Sequence, residues 1–360
     1  MEREFYYSKD GTKVMVVAPI GELKSIIDRM NRFKYKYNHM LVIGNGFDLN
    51  LGLSTSYRNF VESCIFKRMY VKRIQEKRNQ EKATPSLIDY LYGKKFYDRW
   101  YDIEHALLEY VSRKPDGSFV NNVEEDKEEF ELVCEALVKY LVSLFNTGND
   151  LKQSNEMEKS SAGQLLKVFS SERNIIYSFN YTPIRLIINA VISHYSSDPI
   201  RVHGEIEEKT IFKGNIEDNS IILGIETNNL NEIAPNYTFL LKSNNPIYKS
   251  TCIASDLLKT EHVIFFGHSL NEMDFGYFKE YFGVLTSNTD KNRKLTIITK
   301  DKDSRVTLLD NLRKSNISVR DLFAHTNVEI ILTDDIGKDK TESDSLFKEL
   351  LEDIKKKQYE

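Results

Sequence analysis

Short apolar runs and longer amphipathic stretches alternate along this chain. Residues 40–43, 175–179, 263–266, 295–298 and 328–332 are rich in Val, Ile and Phe and are bounded by polar residues or glycine. Continuous runs of this kind predict strands buried on both faces, as in a parallel sheet covered by helices. Residues 200–202 and 221–223 are shorter strand candidates. The expected fold is therefore α/β, with a Rossmann-like, doubly wound, mostly parallel sheet.

Between the first two long strands the pattern turns helical. Phe130, Val133, Cys134, Leu137, Val138, Leu141, Leu144 and Phe145 keep an i, i+3, i+4, i+7 rhythm that buries one helix face. A crossover between parallel strands needs far less chain, so this region predicts a large helical insertion. The expected division is an N-terminal extension packed on the core at 1–38, an α/β nucleotide-binding core at 39–59 and 165–335, an insertion at 60–164 and a C-terminal helix at 336–360. Leu346, Phe347, Leu350, Leu351 and Ile354 mark the apolar face of that last helix, and its terminal lysines suit the negative end of the helix dipole. The mixed-charge stretch 71–81, "VKRIQEKRNQE", predicts a solvated helix face.

Composition narrows the function classes. Of 360 residues, 41% are hydrophobic and 29% charged, and 50 Lys and Arg against 54 Asp and Glu leave a net charge of only -4. That balance calls for neither a nucleic-acid nor a membrane partner. The N-terminus has no apolar core followed by a small-residue cleavage site, and no run approaches the roughly 20 residues needed to cross a bilayer. Cys64, Cys134 and Cys252 are scattered and form no C-x-x-C pair. A soluble cytoplasmic protein in a reducing compartment is expected.

Candidate chemistry gathers at the ends of the predicted strands. The first runs into "IGNGFDLNLGL", with Gly44, Asn45, Gly46, Phe47, Asp48 and Gly52. The spacing is G-x-G-x5-G, which departs from the dinucleotide fingerprint G-x-G-x-x-G. A glycine pair there would still let backbone N–H groups approach a diphosphate at a helix N-terminus, or it could form only a tight turn. The next ends are "SFNYT" with Asn180 and Thr182, "VHGEI" with His203 and Gly204, and "FGHSLNEMD" with Gly267, His268, Ser269 and Asp274. In open α/β sheets, ligands sit outside the carboxyl ends of the strands.

These four segments resemble the motifs of the AbiH family of bacterial proteins associated with abortive infection against phage. "WYDIE", 100–104, is similar to a further pattern of that family. The resemblance implies a growth-arresting activity released by a phage-derived trigger. The same segments also resemble sirtuin motifs, more distantly. Gly44, Gly46 and Gly52 match the spacing of G-A-G-x-S-x-x-x-G-I-P, while "SFNY", His203-Gly204 and "GHSL" are similar to T-Q-N-I-D, the catalytic His-Gly and G-T-S-L. Asp48, Ser54 and Thr182 depart from the sirtuin pattern. Three scattered cysteines do not supply the four-cysteine sirtuin zinc, so no structural zinc is expected and protein deacetylation is disfavoured.

What the resemblance implies is a sirtuin-like core that binds NAD+ and cleaves its bond between nicotinamide and ribose. Asn180 and His203 would be catalytic, one orienting the ribose or the attacking water and the other accepting a proton. Gly44, Asn45, Gly46, Phe47, Asp48, Gly52, Thr182, Gly204, Gly267, His268, Ser269 and Asp274 would hold the nucleotide. As residues at strand ends, Asn180 and His203 are expected to be removable at little cost in stability. Asp102, Glu104 and His105 are expected on a helix surface or linking the core, although Glu104 could reach the site. His39, His194, His262 and His325 show no partner pattern and default to structure. A metal-dependent nuclease effector and a non-catalytic nucleotide sensor acting through a partner stay open, as does a homo-oligomer.

Overall fold

A computed structural model describes residues 2–7, 13–18, 35–77, 85–94, 103–112, 122–145, 150–192, 197–213, 221–227, 233–287 and 292–357. Its centre is a sheet of six strands, β1 (Tyr37–Ile43), β2 (Asn174–Ser178), β3 (Ile200–Arg201), β4 (Thr260–Phe266), β5 (Lys294–Thr299) and β6 (Asn327–Leu332). Every neighbouring pair runs parallel, in the order β3-β2-β1-β4-β5-β6. This is the Rossmann order 3-2-1-4-5-6, in which the chain winds outward from β1 in one direction and then returns to its other side. The crevice between the carboxyl ends of β1 and β4 is thus the point where the winding reverses.

All five long strands fall where the apolar runs predict them; β1, β2, β4 and β5 alternate between two buried faces, while the edge strand β6 is buried only at Ile331 and Leu332. Leu41, Ile43, Ile176, Ile264 and Phe266 pack on one face with Leu165 and Leu166 and with Phe347, Leu350 and Ile354 of the closing helix Glu342–Lys356. Met40, Val42, Val263, Phe265, Leu295 and Ile297 pack on the other with Phe278, Phe282, Leu308 and Leu322. Each such side chain contributes roughly 1.5–3 kcal/mol on burial. Residues 221–223 form no strand. They are buried, but the Ile222 N–H donates to the His203 carbonyl at 2.9 Å and a lone bridge pairs Ile225 with Leu241, so no ladder forms.

Between β1 and β2 the chain is helical, from Tyr57–Glu62 through Cys64–Lys77, Leu87–Lys94, Ile103–Val111, Val123–Phe145 and Asp150–Lys159 to Ser161–Val168. Phe60, Phe66, Leu107, Val133, Leu137 and Leu141 build a third core, which Tyr181, Ile206, Tyr237 and Leu240 from the α/β part complete. The charged stretch at 71–77 lies on a helix whose Arg73 pairs with the buried Glu129 at 3.2 Å. Residues 78–81, Trp100, Asp102 and His194 lie outside the described residues, as does much of the N-terminal extension. Within that extension Glu2–Tyr7 and Lys13–Ala18 pair as an antiparallel hairpin. No helix among the described residues is long and apolar enough to cross a membrane.

Candidate functional site

The glycines of "IGNGFD" and "FFGHS" serve each other. A Cβ on Gly44 would lie 2.7 Å from His268 Cα, one on Gly46 would lie 2.7 Å from Gly267 Cα, and one on Gly267 would lie 2.2 Å from the Phe47 nitrogen. Gly267 also has φ +63°, a conformation that favours glycine. Two strand-to-helix turns therefore touch backbone to backbone at the switch point. Their N–H groups are engaged in this contact: Gly44 donates to the Phe266 carbonyl, Gly46 to that of Gly267 and Phe47 to that of Gly44, at 2.9–3.0 Å. The Phe47 ring is buried in the core against Phe266. Gly52, with φ +87° and open space around it, stands just past the end of helix Asn45–Asn50 and terminates it.

Beside this contact opens a cavity of about 620 Å³, well within the size of small-molecule sites. Its walls bring together Gly44, Asn45, Gly46, Asp48, Asn180, Thr182, His203, Gly267, His268, Ser269 and Asp274. Of the expected site residues, Phe47, Gly52 and Gly204 are not among its walls. The insertion contributes Glu104, His105, Leu137 and Leu141, and the mouth carries Asn311 and Lys314.

Asp48 and Asn180 are held from the first two strand ends. Asn180 Nδ2 donates to the Gly44 carbonyl at 3.0 Å, and Thr182 Oγ1 donates to Asp48 Oδ2 at 2.8 Å. Asp48 is only 1% exposed, and its Oδ1 is buried with no hydrogen-bond partner. Burial pushes its carboxyl up to about 7, against the opposing pull of Thr182 and the nearby Asn180 amide. A buried oxygen left without a donor is costly, and Asp48 is among the residues that line the cavity.

Asp274 anchors the other half. Asn271 caps the short helix Glu272–Phe275, its side chain accepting from the Asp274 N–H, and this turns the Asp274 carboxylate inward. His203 Nε2 lies 3.3 Å from Asp274 Oδ1, and His268 Nε2 lies 3.7 Å from Oδ2. The Leu270 N–H donates to His268 Nδ1 at 3.0 Å, so the neutral ring carries its proton on Nε2, toward Asp274. Phe179 sets both imidazoles edge to face, at 5.2 Å from His203 and 4.6 Å from His268.

A lysine outside every sequence motif completes the cluster. Lys242, 2% exposed, reaches Glu104 Oε2 at 2.8 Å, Asp274 Oδ1 at 3.6 Å and both ring nitrogens of His203 at 3.3 and 3.4 Å. Tyr181 donates to Glu104 Oε1 at 2.8 Å. Burial and then Lys242 push His203 down to about 3, and burial pushes His268 down to about 4, so both rings are neutral near pH 7. Burial alone would raise Asp274, but Lys242 and the two histidines outweigh it and hold the carboxyl below its ordinary range. Glu104, Asp274 and Lys242 thus bring two carboxyl groups and one amine together around His203. Nothing in the sequence signals Lys242, which follows an apolar run in "TFLLKSNN" and is placed only by the bridge of Ile225 to Leu241.

The expectation that Asn180 and His203 are peripheral to packing is corrected here. Both are buried, and Asn180 satisfies a buried carbonyl, because the insertion and the 221–242 segment close over the strand ends. Glu104 is likewise part of the cavity wall and not of a helix surface.

A family model described as "Bacteriophage abortive infection AbiH" matches residues 40–298, which span β1 to β5 and the whole cavity cluster. No curated protein matches the chain.

Proposed function

From a chain that belongs to the AbiH family, and so has a role in abortive infection against phage, we propose an effector that binds NAD+ in the switch-point cavity and hydrolyses its nicotinamide–ribose bond. The observation that carries this reading is the buried Asp274 carboxylate beside the neutral His203, in the wall of the same cavity as Asp48 with its unpartnered Oδ1. A departing nicotinamide needs no protonation, so the demand on the site is to stabilise an oxocarbenium-like ribose, and an ionised carboxylate does this. Asp48 Oδ1 is suited to a ribose hydroxyl. Since the N–H groups of Gly44, Gly46 and Phe47 are engaged within the protein, the diphosphate is assigned to the part of the wall formed by Ser269, Asn311 and Lys314.

In the step, the oxygen of one water bonds to the anomeric carbon as the carbon–nitrogen bond breaks. The bonding pair leaves with nicotinamide, and the proton lost by the attacking water is released to solvent, while the neutral His203, held beside Asp274, positions the ribose. Asn180 is anchored by its Nδ2, which leaves its carbonyl oxygen to orient that water.

The test is made in infected cells, where the phage trigger is supplied. Wild-type protein is expected to protect the culture and to drain cellular NAD+ within one infection cycle. His203→Ala and Asp274→Asn, each checked for folding by thermal melt, should lose both effects, with the rate down about 10² to 10⁴-fold. Protection with NAD+ unchanged would reject the proposal.

A further inference from the structure

A second constellation lies at the opposite, amino edge of the sheet. Asn174, His39 and His262 are register partners across β2, β1 and β4, and Thr296 and Glu329, two residues further along, are partners on β5 and β6, all on the face covered by helix Glu342–Lys356. His39 is 0% and His262 is 1% exposed, and over them Asp353 reaches down from that helix with its side chain 37% exposed. His39 Nε2 lies 3.5 Å and His262 Nδ1 3.8 Å from Asp353 Oδ2. All three donor atoms fall within 4.8 Å of one another.

The outer hydrogen bonds decide which ring nitrogens carry lone pairs. His39 Nδ1 donates to Asn174 Oδ1 at 3.0 Å, so in the neutral ring the lone pair is on Nε2. His262 Nε2 contacts Thr296 Oγ1 at 2.8 Å, while the Thr296 hydroxyl donates to Glu329 Oε2 at 3.4 Å. With the Thr296 hydroxyl turned to Glu329, the ring donates to Thr296 from Nε2 and leaves Nδ1 bare toward Asp353. Both bare nitrogens are buried without a hydrogen-bond partner, and both face the same carboxylate. Buried imidazole nitrogens rarely go unpaired, and a carboxylate cannot donate to them.

We infer that His39 Nε2, His262 Nδ1 and Asp353 Oδ2 bind one zinc-class divalent ion that clamps the C-terminal helix to the sheet. Bonds of 2.0–2.1 Å at tetrahedral angles put donor atoms about 3.3–3.4 Å apart, close to the two separations to Asp353. Two neutral imidazoles and one carboxylate suit zinc or cobalt, and not calcium or magnesium. Asn174 and Thr296 act as the outer partners that orient metal-bound histidines. The site runs against the expectation of no structural zinc, which weighed only the cysteines.

The test uses the full chain, stripped with chelator and titrated with Co²⁺. One equivalent should raise the visible absorption of a four-coordinate site, Zn²⁺ should displace it, and the thermal midpoint should rise with Zn²⁺. Asp353→Asn, which keeps size at a half-exposed position, should abolish the saturable band. Thr296→Val should weaken binding by about 10–100-fold. His203→Ala should bind metal like the wild type, which separates this site from the cavity. Failure of the wild type to take up one equivalent at micromolar metal, or an unchanged titration in Asp353→Asn, would overturn the proposal.

Discussion

Asp48 condenses the behaviour of the cavity into one side chain. Its carboxyl sits at about 7 in the folded protein against an ordinary value of 3.8. The folded state therefore keeps a proton that the unfolded chain gives up, and stability falls wherever only the folded form binds it. The contribution is fully present below about pH 4, declines as pH rises toward 7 and is flat above. Asp48→Asn removes the titrating group, so the variant should gain on the wild type between pH 4 and 7, by a few kcal/mol in all. Urea unfolding of both proteins across pH 4–8 measures this, and parallel curves would refute it. The neighbouring side chains teach a related lesson. Asn180 and His203 stand at strand ends in the sequence, where exposure is the natural expectation, yet segments distant in the chain bury both.

At the scale of elements, the cavity depends on two turns in backbone contact. Gly267→Ala would drive a methyl into the Phe47 nitrogen at 2.2 Å and hold φ +63° against its own Cβ. Overpacking of this kind costs about 1–3 kcal/mol, and the left-handed backbone adds about 1–2 more. Gly52→Ala shares the backbone penalty but meets nothing, so it should cost only the latter and keep phage protection. Denaturant titration and plaque counts on both variants distinguish a contact between turns from a generic need for glycine. The periodicity of the strands and of helix Val123–Phe145 is legible because each has a face buried by contact. The segment 221–223 misleads for the same reason, being apolar and buried yet outside any strand.

Across the whole molecule, Glu104 and Lys242 couple the insertion to the sheet. Removing one member of a buried ion pair leaves the other uncompensated and costs about 3–5 kcal/mol. Glu104→Gln and Lys242→Met should each destabilise the protein, and the double variant should recover much of the sum. Lys242→Met should also raise the His203 pKa from about 3, since burial first and then the ammonium hold it down. Proton chemical shifts of the ring against pH report the change, and an unmoved titration would show that burial alone sets it. Lys355→Ala, at an exposed pair with Glu352, is the control and should change neither stability nor protection.

The sequence by itself determined the α/β class, the five long strands, the insertion and the gathering of Gly44, Asn180, His203 and Asp274 at one edge. These follow from local patterns, because parallel strands buried on two faces must be apolar throughout and their carboxyl ends must share one side of the sheet. Tertiary structure alone decided that Lys242 joins the site, that the glycines meet each other, and that His39 and His262 lie side by side beneath Asp353. Each of these rests on the register of strands far apart in the chain or on the closure of a helix over them. No spacing along the sequence encodes which side chains such closure will bring within 4 Å.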